Sequence, residues 1–130
     1  MQIDLKNNID AVESIAPDNL VASINGAGVD LQNFHSAMVV FHGNDGDFTT
    51  GDEAYTPKLQ DSPDNSVWTD VAAADLDGSF SDLRTTEVQR VGYKGMERWI
   101  RGVLTLAGTT PIIDAAALII RANPRKAPVA

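Results

Sequence analysis

Apolar residues recur along the chain in short runs, many alternating with polar ones, separated by clusters of turn-forming residues. Thr56–Gln60 is one such run; the polar segment Asp61–Ser66 follows, and Val67–Val71 returns. Thr86–Val91 sets Val88 and Arg90 against Gln89 and Val91, and Tyr93-Lys94-Gly95 then leads into Met96–Leu106. Alternation with a period of two predicts half-buried strands, and a short polar break between two of them predicts a hairpin. Two hairpins are therefore expected, one on each side of residue 80.

Other segments extend the strand count. Leu20–Ile24 and Val29–Leu31 are short strands flanking Asn25-Gly26-Ala27-Gly28, a turn signal because Asn and Gly tolerate positive φ. Ser36–His42 is apolar on both faces and β-branched at its centre, which predicts a central strand. Ile9–Ile15 fits either a strand or a helical turn and a half, and Pro17 is expected to end it. Met96–Leu106 also fits an amphipathic helix, with Met96, Trp99, Ile100, Val103 and Leu104 at helical spacing. A strand is favoured because Gly102 weakens a helix interior and Val103 and Thr105 are β-branched. Ile112–Arg121 reads as a buried closing strand stopped by Asn123-Pro124. The sum is seven to nine short strands, the mark of an all-β, small antiparallel sandwich, jelly-roll-like in type. Residues 9–121 form that domain, between an N-terminal arm, 1–8, and a C-terminal arm, 122–130.

Composition narrows the function. With 130 residues the chain fits one domain, and 43% hydrophobic residues can fill a core. Aromatics are only 6%, so that core must rest on Val, Ile, Leu and Ala. The absence of Cys excludes disulfides, zinc–thiolate centres and a cysteine nucleophile. A net charge of −8 disfavours nucleic acid and anionic membrane surfaces as partners. Residues 121–130 carry +3, so the rest of the chain carries −11, an acidic body with a basic tail. Neither a signal peptide nor a membrane-spanning run is expected, since Ala115–Ile120 is the longest apolar run near the C-terminus.

Candidate chemistry is sparse. The Gly- and Asp-rich stretch from Gly43 to Glu53 is expected to be a long irregular loop. Its Asp45, Asp47, Asp52 and Glu53 form a candidate cation loop by oxygen count. The spacing lacks the end-position Glu of a twelve-residue calcium loop, and the plainer reading is a surface loop. No acid is flanked by the aromatics that would raise a catalytic carboxyl. His35 and His42 fall at opposite ends and faces of one strand, too far apart for one metal. No nucleophile elbow or phosphate-cradling glycine loop occurs, so no catalytic residue, metal or cofactor is expected. Tyr55, Trp68 and Trp99 could form a sugar-stacking row if exposed, although such residues more often serve cores and interfaces.

Several ordered motifs resemble a family of small tailed-phage virion proteins encoded near the major capsid protein. They are Asp4–Asn8, Asn25–Leu31, Thr56–Ser66, Thr69–Leu76, Arg90–Gly95, Arg98–Arg101 and Arg121–Arg125. The chain departs from that pattern in its longer acidic loop, Asn44–Glu53, and in Asp114 within the last strand. The resemblance implies a non-enzymatic head decoration, or cement, protein on the outer capsid surface. Its partner would be the major capsid protein, and it would act alone or as a homo-dimer or homo-trimer. The arms are the expected contacts, with Leu5, Lys6, Arg98, Arg101, Arg121, Arg125 and Lys126 as anchors. A carbohydrate-binding or host-adhesion module, and a tail or head-completion protein, are the alternatives.

Overall fold

Ten strands build two antiparallel sheets in the computed structural model, which describes residues 3–128. In chain order they are β1 (Ile9–Leu20), β2 (Ile24–Asn25), β3 (Val29–Asp30), β4 (Phe34–Gly46), β5 (Ala54–Ser62), β6 (Thr69–Asp70), β7 (Leu76–Asp77), β8 (Glu87–Tyr93), β9 (Trp99–Ala107) and β10 (Ile113–Pro124). Sheet one has the order β1-β10-β4-β8-β7; sheet two has β2-β9-β5-β6, with β3 also paired to β9. If β2 and β3 count as one interrupted strand and β7 as an added edge, the order is that of a jelly roll, two interlocked Greek keys. The expected β-sandwich is therefore the fold. The strand count of ten exceeds the expected seven to nine because four pairings are only two residues long.

The core lies between the sheets. Val39 and Phe41 of β4, Ala115, Ala117 and Ile119 of β10 and Val91 of β8 face Tyr55 and Leu59 of β5 and Ile100 and Leu104 of β9. Alternation thus places residues as the pattern predicts. Met96–Leu106 is a strand from Trp99 onward, and the helical alternative falls; Met96 itself is 98% exposed.

Several expectations need correction. The second hairpin does not exist: β8 and β9 belong to different sheets, so residues 94–98 form an arch across the sandwich. The Tyr93 hydroxyl holds that arch, donating to Asp61 Oδ2 at 2.9 Å and accepting from the Glu97 N–H at 3.0 Å. Pro17 does not end β1, because β1 is an edge strand and a missing N–H is tolerated there. Register shifts between Glu13 and Ile15 and between Ile15 and Asp18 absorb the irregularity. The predicted strand Leu20–Ile24 is split between the end of β1 and the start of β2. β4 runs to Gly46, so the first residues of the supposed loop are strand, held by the β10 register. Likewise β10 runs through Ala122, Asn123 and Pro124, so the C-terminal arm outside the sheet begins at Arg125. The Asp- and Gly-containing run Asp75–Gly78 supplies β7.

The Asn25–Gly28 segment is not a hairpin turn either. Both β2 and β3 run antiparallel to β9, with Asn25 opposite Val103 and Val29 opposite Ile100. The chain bulges between them, and no positive φ is involved. Gly26 is needed for space: a Cβ there would lie 2.4 Å from Ser14 Oγ and 2.6 Å from the Gly102 carbonyl oxygen. Ser14 completes the bulge. Its hydroxyl donates to the Ala27 carbonyl and accepts from the Gly102 N–H, each at 2.9 Å, and it is buried.

Candidate interaction surfaces

The acidic loop's carboxylates are hydrogen-bonded within the loop and to Thr109. Asp47 accepts from the Thr49 N–H and hydroxyl; Asp52 accepts from the Thr50 hydroxyl and from the Thr109 N–H and hydroxyl. Glu53, buried, accepts from the Thr50 and Gly51 N–H groups and the Thr50 hydroxyl. These donors stabilise the ionised forms: the Thr49 side chain holds Asp47 below the usual carboxylate range, and Thr50 does the same for Asp52 and Glu53. Asp45 stands apart on β4, accepting from the Gly46 N–H. Among the described residues no group of three His, Asp or Glu side chains could hold a metal ion. The candidate cation loop is thus a set of local Asx- and ST-type turns rather than a convergent ligand set.

The aromatic row does not form. Tyr55 is fully buried, its hydroxyl 2.6 Å from the Asp47 carbonyl oxygen and 2.8 Å from that of Ile112. Trp68 and Trp99 are half-buried, each covered by a guanidinium: Arg101 lies 4.4 Å from the Trp68 ring centroid and Arg98 lies 5.4 Å from that of Trp99. His35 and His42 are exposed on β4, with no carboxylate bonded to either among the described residues.

Three of the predicted anchors bond within the protein, Arg98 while still exposed. Arg98 pairs bidentately with Asp30, at 2.9 and 2.7 Å, and this holds Asp30 below the usual carboxylate range. Arg101 donates twice to Gln60 Oε1. Arg121 pairs with Asp10, donates to the Asp30 carbonyl at 2.7 Å and lies over the Phe34 ring, tying β10 to β1 and across to β3. All three arginines thus have acceptors within the fold, and Arg121 also lines the arm-end groove with Arg125 and Lys126.

The remaining four predicted contacts meet at one end of the sandwich. Ile9 opens β1 opposite Ala122 near the end of β10, so the two arms leave the sheet side by side. Leu5 and Lys6 are exposed at the 3₁₀ turn Lys6–Asn8, whose entry is fixed by Asp4 accepting from the Asn7 N–H and side-chain amide. That turn packs against β1 and β10. The N-terminal arm is thus folded from Asp4 onward rather than wholly extended. Arg125 and Lys126, exposed, line a groove with Phe34, Pro124 and Pro128. Ile3 is 91% exposed and Leu5 64% exposed on the N-terminal arm.

No family model matches the chain, no curated protein is similar to it, and no solved structure matches the sandwich. No helix among the described residues is long and apolar enough to cross a membrane.

Proposed function

We propose that this protein is a non-enzymatic virion component, a capsid decoration protein that grips the outer face of the major capsid shell with its paired arms. One observation carries the reading: two arms bearing exposed Ile3 and Leu5 together with Lys6, Arg125 and Lys126 emerge at one end of an acidic body. Exposed aliphatic side chains and cations at one end suit a protein surface that offers apolar grooves and carboxylates. The acidic remainder would repel DNA and neighbouring particles, keeping the protein soluble until it docks. The motif resemblance supplies the virion context, and the jelly roll is compatible with it, although that fold hosts many unrelated roles.

The test is co-sedimentation with expanded, undecorated capsid shells, comparing the intact chain with one lacking residues 125–130 and with Leu5→Asp. Both variants spare the strands, because β10 ends at Pro124 and Leu5 precedes β1. Both should keep the native circular dichroism spectrum and lose shell binding by about tenfold or more. Undiminished binding by both would remove the arms from the contact. A copy number near a dozen per particle would point instead to a tail or head-completion role.

A further inference from the structure

The outer face of sheet two is polar, as expected of a solvated sheet face: Thr56, Lys58 and Gln60 of β5 stand beside Arg101 and Thr105 of β9. The outer face of sheet one breaks that rule. Its register sets Ala11, Ile120 and Met38 in one cross-strand row, and Leu118 and Val40 in the next. Ala116, His42 and Val88 make a third. Leu118 is 41% exposed and Val88 63%. The core covers only the opposite side of these strands. Directly opposed residues share a face, so these side chains form a mainly apolar surface on β10 and β4, interrupted by His42 and edged by Ala11 of β1 and Val88 of β8.

The charges flanking that surface are arranged for self-recognition. The middle row reads Glu13, Leu118, Val40, Arg90 across the four strands, with an exposed acid at one end and an exposed base at the other. A two-fold axis parallel to the strands, passing between β10 and β4, lays β1 of one copy over β8 of the other. It sets Glu13 against the partner copy's Arg90 twice, Leu118 against Val40, and Ile120 against Met38. An isologous interface needs that kind of self-complementarity.

We infer that a second copy of this chain docks on the outer face of sheet one, giving a face-to-face dimer. Four strands by three alternate-residue rows cover about 19 by 20 Å, or about 400 Å² per copy. Two such faces bury about 800 Å² in all, below the range of standard specific interfaces, so the dimer is weak, reversible and concentration-dependent. The arm end is a separate surface, and the inference does not rest on capsid binding.

Sedimentation velocity of the intact chain, from low micromolar to hundreds of micromolar, should show a monomer–dimer equilibrium. Glu13→Arg and Arg90→Glu, both at exposed positions, should each weaken the dimer by about tenfold or more through like-charge opposition. The double variant should recover it, which no folding defect would imitate. Leu118→Arg should abolish it. A monomer throughout the concentration range, a trimer, or a dimer indifferent to Glu13→Arg and Leu118→Arg would overturn the inference.

Discussion

At the residue scale the sandwich depends on a few polar side chains that finish backbone hydrogen bonding where strands fail to pair. Ser14 is the clearest. It serves the Gly102 N–H and the Ala27 carbonyl at the bulge between β2 and β3, and it is buried. Ser14→Ala would leave both groups without this partner, costing about 1–3 kcal/mol. Urea unfolding should show that loss as a lower midpoint with an unchanged slope. The carboxylates give a second expectation. Asp30, Asp52 and Asp64 are all held below their ordinary values: Asp30 by Arg98, Asp52 by Thr50 and Thr109, and Asp64 by the Val67 and Ser66 N–H groups. A depressed folded pKa contributes stability that is fully present above the unfolded value, about 3.9, and is lost as pH falls through the folded value. The unfolding midpoint should therefore fall below about pH 4 and change little on this account from pH 5 to 7. A midpoint still rising between pH 5 and 7 would show that other groups dominate.

At the element scale, alternation was enough to find the long strands. β5, β8 and β9 lie where the period-two pattern predicts them, and Val103 and Thr105 indicated a strand over a helix. Pairing was less legible, because period two says which residues share a face but not which strand lies alongside. The arch at residues 94–98 therefore read as a hairpin. Ser36–His42 and Ile112–Arg121 were recognisably apolar on both faces, which suggested burial on both; in fact one face is covered and the other is open. The Asn25–Gly28 glycines signalled a special backbone position, but the need was space rather than φ. Gly26→Ala should therefore destabilise by about 1–3 kcal/mol or more, since a Cβ would press on the Ser14 and Gly102 backbone oxygens as well as Ser14 Oγ. Thermal unfolding checks it: a melting temperature within a degree of the parent would mean that the bulge yields easily. The internal acceptors of the arginines within or just before strands were not legible in the sequence, because they lie far away in the chain. Asp30 is 68 residues from Arg98, and Asp10 is 111 from Arg121.

At the scale of the whole molecule, charge and apolar exposure are unevenly distributed, and that unevenness carries the functional reading. Among the described residues the loop carboxylates accept from threonines and backbone amides, Tyr55 is buried, and Trp68 is covered by Arg101. Two surfaces stand out instead, the arm end and the outer face of sheet one. The arms leave sheet one at Ile9 and Ala122, one row beyond Ala11 and Ile120, so a dimer closed through the sheet face sets both arm pairs at one end of that interface. Such an arrangement would let one dimer hold two capsid sites, so that the second engagement gains from effective concentration. Shell binding should then be steeper in protein concentration for the parent than for Glu13→Arg, as read from binding isotherms on the same shells.

The most direct test of the decoration reading is the number of copies bound per major capsid subunit when the intact protein is co-sedimented with expanded, undecorated shells. The expected result is saturable binding near one copy per one to three subunits, a ratio drawn from the family resemblance. No binding, or saturation at a few copies per particle, would contradict it.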